Sequence, residues 1–267
     1  MSQAQPTGPA AAPLVFITGA SSGIGQALAA GYARAGWRLA LVARREAEMR
    51  AWAEAQGLRD ARCAAYAADV ARIDSIVAVA RRCIAEQGLP DVVIANAGIS
   101  VGVDSAERAD LDVLRETFDT NNVGLAATFH PFIEPMRARR AGTLVGIGSV
   151  GAIRGMPGHG AYCASKAAVL AYCESLRGEL RADGVAVVTL LPGYVATPLT
   201  ARNPYPMPFL LTAEQFAARA IKAIAARRSY VVIPWQMAIV AKLLRLLPNA
   251  LFDRIFAGRP RKPRRGR

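Results

Sequence analysis

Seven short runs rich in Val, Ile, Leu and Ala recur along the chain, at Leu14 to Thr18, Arg38 to Ala43, Ala64 to Ala67, Val92 to Ala95, Thr143 to Ile147, Val185 to Leu191 and Tyr230 to Ile233. Apolar runs of this length, without polar alternation, suit strands buried on both faces. Between them lie helical patterns, among them Gly23 to Ala35, Ile73 to Gln87 and Tyr162 to Ala182, followed by Gly36, Gly88 and Gly184 where a helix would stop. Strand alternating with helix predicts one doubly wound α/β domain, with a parallel sheet of about seven strands and helices on both faces. No Pro- or Ser-rich linker divides residues 14–233.

With 53% hydrophobic and 20% charged residues, the chain can bury a core, which excludes wholesale disorder. The long uncharged stretch from Val185 to Ala201 is broken by Pro and Gly, so no membrane span is expected. Residues 1–13 lack the basic start and apolar stretch of a secretory signal and read as a flexible leader; a cytoplasmic protein is the expectation. Cys63, Cys83, Cys163 and Cys173 have no paired spacing, and His130 and His159 no metal-ligand spacing, so neither a disulfide framework nor a metal site is expected. Of the net charge of +13, six positive charges fall in residues 257–267, as Arg259, Arg261, Lys262, Arg264, Arg265 and Arg267. Such a run reads as a solvated, disordered tail; without an accompanying recognition motif, nucleic acid is not an expected partner.

Directly after the first run comes Thr18-Gly19-Ala20-Ser21-Ser22-Gly23-Ile24-Gly25, and a helical pattern opens within it. Glycines at such a strand-to-helix turn let the backbone approach a pyrophosphate, and the N–H groups of the first helical turn face its negative charge. Dinucleotide binding is therefore expected of Gly19, Ser21, Ser22, Gly23, Ile24 and Gly25.

This turn resembles the cofactor loop of the short-chain dehydrogenases/reductases. Asn96-Ala97-Gly98 is similar to that family's N-A-G motif, Tyr162-x-x-x-Lys166 to its Y-x-x-x-K, and Pro192-Gly193 with Thr197 to its P-G-x-x-x-T, all in family order. The resemblance covers about Leu14 to Ile233 and implies a Rossmann-type fold, a nicotinamide cofactor and a homodimer or homotetramer built through the helix bearing Tyr162. Ala164, Ala167, Ala168 and Ala171 would permit close approach there. Asn96, Ala97, Gly98, Pro192, Gly193 and Thr197 become cofactor contacts, and Asp69-Val70 resembles the pair that contacts the adenine ring.

Tyr162 and Lys166 lie four residues apart and project from one helical face, a spacing that also occurs in plain surface pairs. Ser149, thirteen residues before Tyr162, matches the family separation between catalytic serine and tyrosine. Reduction of a ketone needs a proton at oxygen and oxidation of an alcohol must remove one, so one group must act as acid and base. Tyr162 is that candidate, and a cation about 4 Å away contributes on the order of 4 kcal/mol towards its phenolate before desolvation is subtracted. By resemblance Lys166 also holds the nicotinamide ribose and Ser149 orients the substrate oxygen. Asn121-Asn122-Val123-Gly124 matches N-x-x-G with Asn121 as the fourth member, bending its helix and holding a relay water.

The second run ends Val42-Ala43-Arg44-Arg45, with no acid before Glu46. A guanidinium at Arg44 suits a 2′-phosphate, which favours NADP(H) over NAD(H). Leu199 to Leu211 occupies the family's lid position, and its apolar residues favour a lipophilic small-molecule substrate. Beyond it, Trp235 to Phe256 carries an apolar stripe with basic residues, fit either for peripheral contact with a membrane or for covering the cleft or a subunit contact. The rival class, a catalytically silent nucleotide-binding sensor or scaffold, would be marked by loss of Ser149, Tyr162 or Lys166, and none is lost.

Overall fold

The computed structural model describes residues 12–58 and 62–266, so all but the end of the expected leader lies outside the described residues. Strand β1 (Leu14–Thr18) leads into helix α1 (Gly23–Arg34), β2 (Arg38–Ala43) into α2 (Glu46–Ala55), and β3 (Cys63–Ala67) into α3 (Ile73–Gln87). Then follow β4 (Val92–Ala95), α4 (Asp110–Phe118), α5 (Gly124–Arg139), β5 (Gly142–Ile147), the long helix α6 (Gly160–Leu180) and β6 (Val185–Pro192). Two short strands, β7 (Val195–Ala196) and β8 (Leu211–Thr212), precede α7 (Ala213–Ala225), β9 (Tyr230–Ile233), α8 (Trp235–Leu246) and α9 (Asn249–Phe256).

All seven expected runs pair in one parallel sheet, in the order β3-β2-β1-β4-β5-β6-β9. Successive side chains of a strand point to opposite faces, and the core divides accordingly. Val15, Ile17, Leu39, Leu41 and Ile94 pack with Leu28 of α1 and Phe216 of α7. Their neighbours Leu14, Phe16, Ala40, Val42 and Val93 pack with Ile76 of α3, Phe132 of α5 and Val169 of α6. The Phe16 and Phe132 rings meet with centroids 4.9 Å apart, an arrangement worth about 0.5–1.5 kcal/mol beyond the area it buries. Both faces are covered, which is why the strands read as continuous apolar runs.

The chain leaves β1 for β2 on one side and returns to place β4 on the other. At this reversal the connections diverge, and a crevice opens beyond the carboxyl ends of β1 and β4. Strands β7 and β8 pair parallel across Val195↔Leu211 and Ala196↔Thr212, closing the base of the lid segment between them. At two residues each they are too short to show a pattern in sequence. A capping box at Thr212 opens α7, with Gln215 N–H donating to the Thr212 hydroxyl and the Gln215 side chain accepting from Thr212 N–H.

The end of the chain departs from expectation twice. The stretch from Trp235 to Phe256 is two helices, broken where Leu247 takes an extended backbone before Pro248. The tail, expected to be solvated, runs over the chain along residues 258–266. Gly102 N–H donates to Pro263 O, Arg264 pairs with Asp110 at 2.6 Å and with Glu107 at 3.3 Å, and Arg265 pairs with Glu116. The acids on and just before α4 supply counter-charges that the tail itself lacks.

Candidate active site

One cleft at the carboxyl end of the sheet gathers nearly every residue singled out in sequence: Gly19 to Ile24, Arg44, Asp69 with Val70, Asn96 to Gly98, Ser149, Tyr162, Lys166, Pro192 with Gly193, and Thr197. Gly25 and Asn121 stand behind its wall. A Cβ on Gly25 would strike the Gly19 carbonyl, so its role is to let α1 close on the turn. The turn itself requires glycine at Gly19 and Gly23, whose φ angles are +66° and +56°. A Cβ on Gly23 would also stand 3.1 Å from Thr197 Cγ2, so the start of the lid rests on the turn.

Asn96 ties this turn to β4, donating from Nδ2 to Thr18 O at 2.9 Å and Gly19 O at 3.2 Å. Thr18 Oγ1 in turn accepts from the N–H groups of Asn96 and Ala97. At the N-terminus of α1 the Ser22 side chain makes no capping bond, leaving the first N–H groups directed into the cleft. Bare backbone donors at a glycine cradle fit a pyrophosphate.

Arg44 is exposed at the end of the cleft beside β2. Arg45, absent from the sequence-derived site, lines the same end, donates to Ser21 Oγ at 3.1 Å and pairs with Glu48. Glu46, the first acid after β2, is held by Arg50 at 2.6 Å. Two guanidinium groups therefore flank this end, and the nearest carboxylates are engaged along α2. Asp69 Oδ1 accepts from Ala71 N–H, which fixes the carboxylate at the cleft wall.

At the other end, α6 and the strand ends bring the catalytic candidates together. Ser149, just past the end of β5, accepts from Gly151 N–H, and a Cβ added at Gly151 would touch both Ser149 Oγ at 3.4 Å and Tyr162 Cε1 at 3.5 Å. Lys166 Nζ donates to Ile147 O at 2.8 Å and stands 6.0 Å from the Tyr162 ring centre. Burial pushes the Tyr162 phenol up, opposed by the Ser149 hydroxyl, and burial pushes Lys166 down to about 8. The desolvation still to be subtracted from the ammonium's pull towards phenolate is the larger influence at both groups.

Asn121 sits in a π-helical turn, Asp119–Val123, between α4 and α5. The extra residue in that turn aims the amide at β4's connecting loop. Oδ1 accepts from Ile99 N–H at 2.8 Å, and Nδ2 donates to Ile99 O and to Ser165 Oγ. Gly98 keeps open the space between this amide and Lys166: a Cβ there would stand 3.1 Å from Asn121 Oδ1 and 3.5 Å from Lys166 Nζ. Asn122 faces elsewhere, donating to Ser165 O.

Above Tyr162 lies a cluster that no local pattern announced. His159 Nε2 meets the Tyr205 hydroxyl of the lid at 3.0 Å, its Nδ1 faces Pro157 O, and the Tyr194 and Tyr205 rings pack together. The Nδ1 contact with a carbonyl assigns the proton there, so Nε2 accepts from Tyr205. Burial lowers the imidazole pKa, keeping it neutral. Lys262 of the tail donates to Ser100 Oγ and to Leu199 O, bridging the loop after β4 to the lid. In the lid segment Phe209 and Leu210 are exposed, and Tyr205 makes the contact with His159.

The family model for short chain dehydrogenases matches residues 13–206. An uncharacterized oxidoreductase of Myxococcus xanthus is 39% identical over 244 residues, covering 89% of this chain and 94% of that one. A "Dehydrogenase/reductase SDR family protein 7-like" of Anopheles gambiae is 34% identical over 70% of this chain, which spans 60% of that longer relative. Among solved structures, a short-chain dehydrogenase of Sphingobium yanoikuyae in complex with NADPH superposes with a TM-score of 0.74 at 26% identity, covering 89% of this chain and 97% of its own. A Burkholderia phymatum short-chain dehydrogenase/reductase in complex with NAD gives 0.79 at 25% identity, covering 94% and 97%. The chain belongs to the short-chain dehydrogenase/reductase family and is an NAD(P)-dependent oxidoreductase.

Proposed function

We propose that the protein interconverts a secondary alcohol and a ketone on a lipophilic substrate, using NADP(H), with Tyr162 as acid and base. The observation that carries this reading is the convergence of Ser149, Tyr162 and Lys166 at one end of a cleft whose other end is a glycine cradle flanked by Arg44 and Arg45. The nicotinamide, when bound, supplies or accepts hydride at the substrate carbon. Tyr162 gives its phenolic proton to the carbonyl oxygen in reduction and takes it back in oxidation. Ser149 hydrogen-bonds the same oxygen and holds it against the phenol. Lys166 holds the ribose hydroxyls, and Asn121, across the space left by Gly98, keeps the relay water beside it. Arg44, seconded by Arg45, pairs with the 2′-phosphate, and Asp69 and Val70 hold the adenine. NAD(H) is the alternative cofactor, since one solved neighbour is in complex with it. Ile99 and Leu199 line the cleft and support an apolar substrate. All four cysteines are buried, which suits a reducing, cytoplasmic setting. A panel of ketones and aldehydes with purified protein, followed by NADPH absorbance, tests the assignment: ketone-dependent oxidation supports it, and none across the panel refutes it.

The pH dependence follows from the half-buried Tyr162 phenol and the buried Lys166. The phenol, pushed up, stays protonated at neutral pH and ready to donate, while Lys166, pushed down to about 8, loses its charge in mildly alkaline solution. Ketone reduction is therefore expected to hold level from about pH 6 to 7 and to fall through about pH 8, whereas alcohol oxidation rises with pH as phenolate forms. A reductive rate that climbs steadily to pH 9 would contradict these roles.

The subunit contact is assigned to α4 and α6, where Leu111, Leu114 and Tyr172 are exposed beside Ala164, Ala167 and Ala171. Exposed apolar side chains clustered on two neighbouring helices mark an association surface. Light scattering at micromolar concentration is expected to give a dimer or tetramer mass, and a monomer mass would remove this contact.

A further inference from the structure

Helix α8 carries an apolar face that nothing among the described residues covers. Trp235, Ile239, Leu243 and Leu246 are 66%, 51%, 60% and 79% exposed, and their spacing of four, four and three residues places them on one side of the helix. The opposite side is seated: Met237 and Ala241 are buried, and Met237 packs so closely on Gly193, in the cleft wall, that a Cβ there would stand 2.7 Å from Met237 Cγ. The helix is also held at its end. Arg154, from the loop after β5, donates to Leu247 O at 2.7 Å and Asn249 Oδ1 at 2.9 Å, and its guanidinium stacks on Phe252 of α9 at 3.9 Å. The stripe is thus presented by a fixed element. A frayed end would have no such anchorage.

The charges around this face have one sign. Residues 235–261 contain Lys242, Arg245, Arg254, Arg259 and Arg261 against a single acid, Asp253. Lys242 and Arg245 lie between and beside the stripe residues and form no ion pair among the described residues. A second copy seated on this face would set these cations against their own equivalents, whereas an anionic surface would meet both the apolar and the basic part. Strands β6 and β9 run parallel, so α8 and the lid segment leave the sheet at the same end, and the lid's Phe209 and Leu210 are exposed as well.

We propose that α8 is a membrane-docking element that seats Trp235, Ile239, Leu243 and Leu246 in the interfacial region of an anionic bilayer, with Lys242 and Arg245 on its headgroups. Docking there brings the wall of the cleft, through Met237 and Gly193, next to the lipid surface, so an apolar substrate can pass from the bilayer to the lid without crossing bulk water. No helix among the described residues is long and apolar enough to cross a membrane, so the attachment is peripheral and reversible. Docking itself stands or falls apart from the catalytic reading, whereas the passage of substrate rests on the lipophilic substrate proposed above.

The test is flotation of the full chain with vesicles of pure phosphatidylcholine and with vesicles containing a third phosphatidylglycerol. The protein is expected to float with the anionic vesicles and to be released by high salt. L243Q/L246Q and K242E/R245E should each lower the bound-to-free ratio at least tenfold, with unchanged thermal midpoints because all four side chains are on the surface. Absence of flotation of the wild-type protein, or equal flotation of wild type and L243Q/L246Q, overturns the proposal. So does a wild-type oligomer that dissociates on L243Q/L246Q without vesicle binding, because a second copy would then be the occupant.

Discussion

Replacing Tyr162 by Phe is expected to lower turnover by about a hundredfold to ten-thousandfold, the range a positioned general acid contributes, while NADPH affinity stays close to wild type. The substitution removes one hydroxyl. It leaves the α6 backbone, the Lys166–Ile147 bond and the glycine turn in place. Titration of NADPH by fluorescence, beside steady-state kinetics, separates the two effects. Loss of affinity parallel to the loss of turnover would mean that the ring, and with it the cleft, had been disturbed. Ser149→Ala provides the internal comparison, because it removes an orienting bond to the substrate oxygen while keeping the acid.

Arg44→Asp is expected to weaken NADPH by about tenfold to a hundredfold in KM, and to spare or improve NADH. Hydrogen bonds to charged groups contribute about 1.5–3 kcal/mol, and each 1.4 kcal/mol is a factor of ten. Like-charge repulsion from the new carboxylate adds to the loss. Arg45 moderates the effect if it turns from Ser21 and Glu48 toward the phosphate, so the double change of Arg44 and Arg45 should exceed the single one. The kcat/KM ratio for the two cofactors is the readout. An equal loss for NADPH and NADH would show general damage to the turn and remove Arg44 from the discriminating role.

What could be read in sequence was local. The strand runs carry their burial in every residue, and the helix stops carry Gly36, Gly88 and Gly184 at positive φ. The glycine turn and the Tyr162–Lys166 pair lie within single segments, where spacing translates directly into a shared face. What could not be read depends on segments distant in sequence. Arg45 reaches Ser21 across 24 residues, Tyr205 reaches His159 across 46, and Lys262 reaches Ser100 across 162. The tail shows this most plainly: six cations without an internal acid look solvated, yet two of them, Arg264 and Arg265, find partners in Glu107, Asp110 and Glu116 on and before α4. The electrostatics of the catalytic pair were likewise hidden, because desolvation depends on burial that no spacing reports.

In the proposed reaction this chain moves hydride between a nicotinamide and a carbonyl carbon while Tyr162 moves the proton. The most direct measurement is reduction of an active ketone with NADPH deuterated at the transferring position, followed by mass spectrometry of the alcohol. One deuterium is expected at the former carbonyl carbon in the wild-type product, and almost no product from Tyr162→Phe under the same conditions. Alcohol without deuterium at that carbon, or equal yields of labelled alcohol from both proteins, would contradict it.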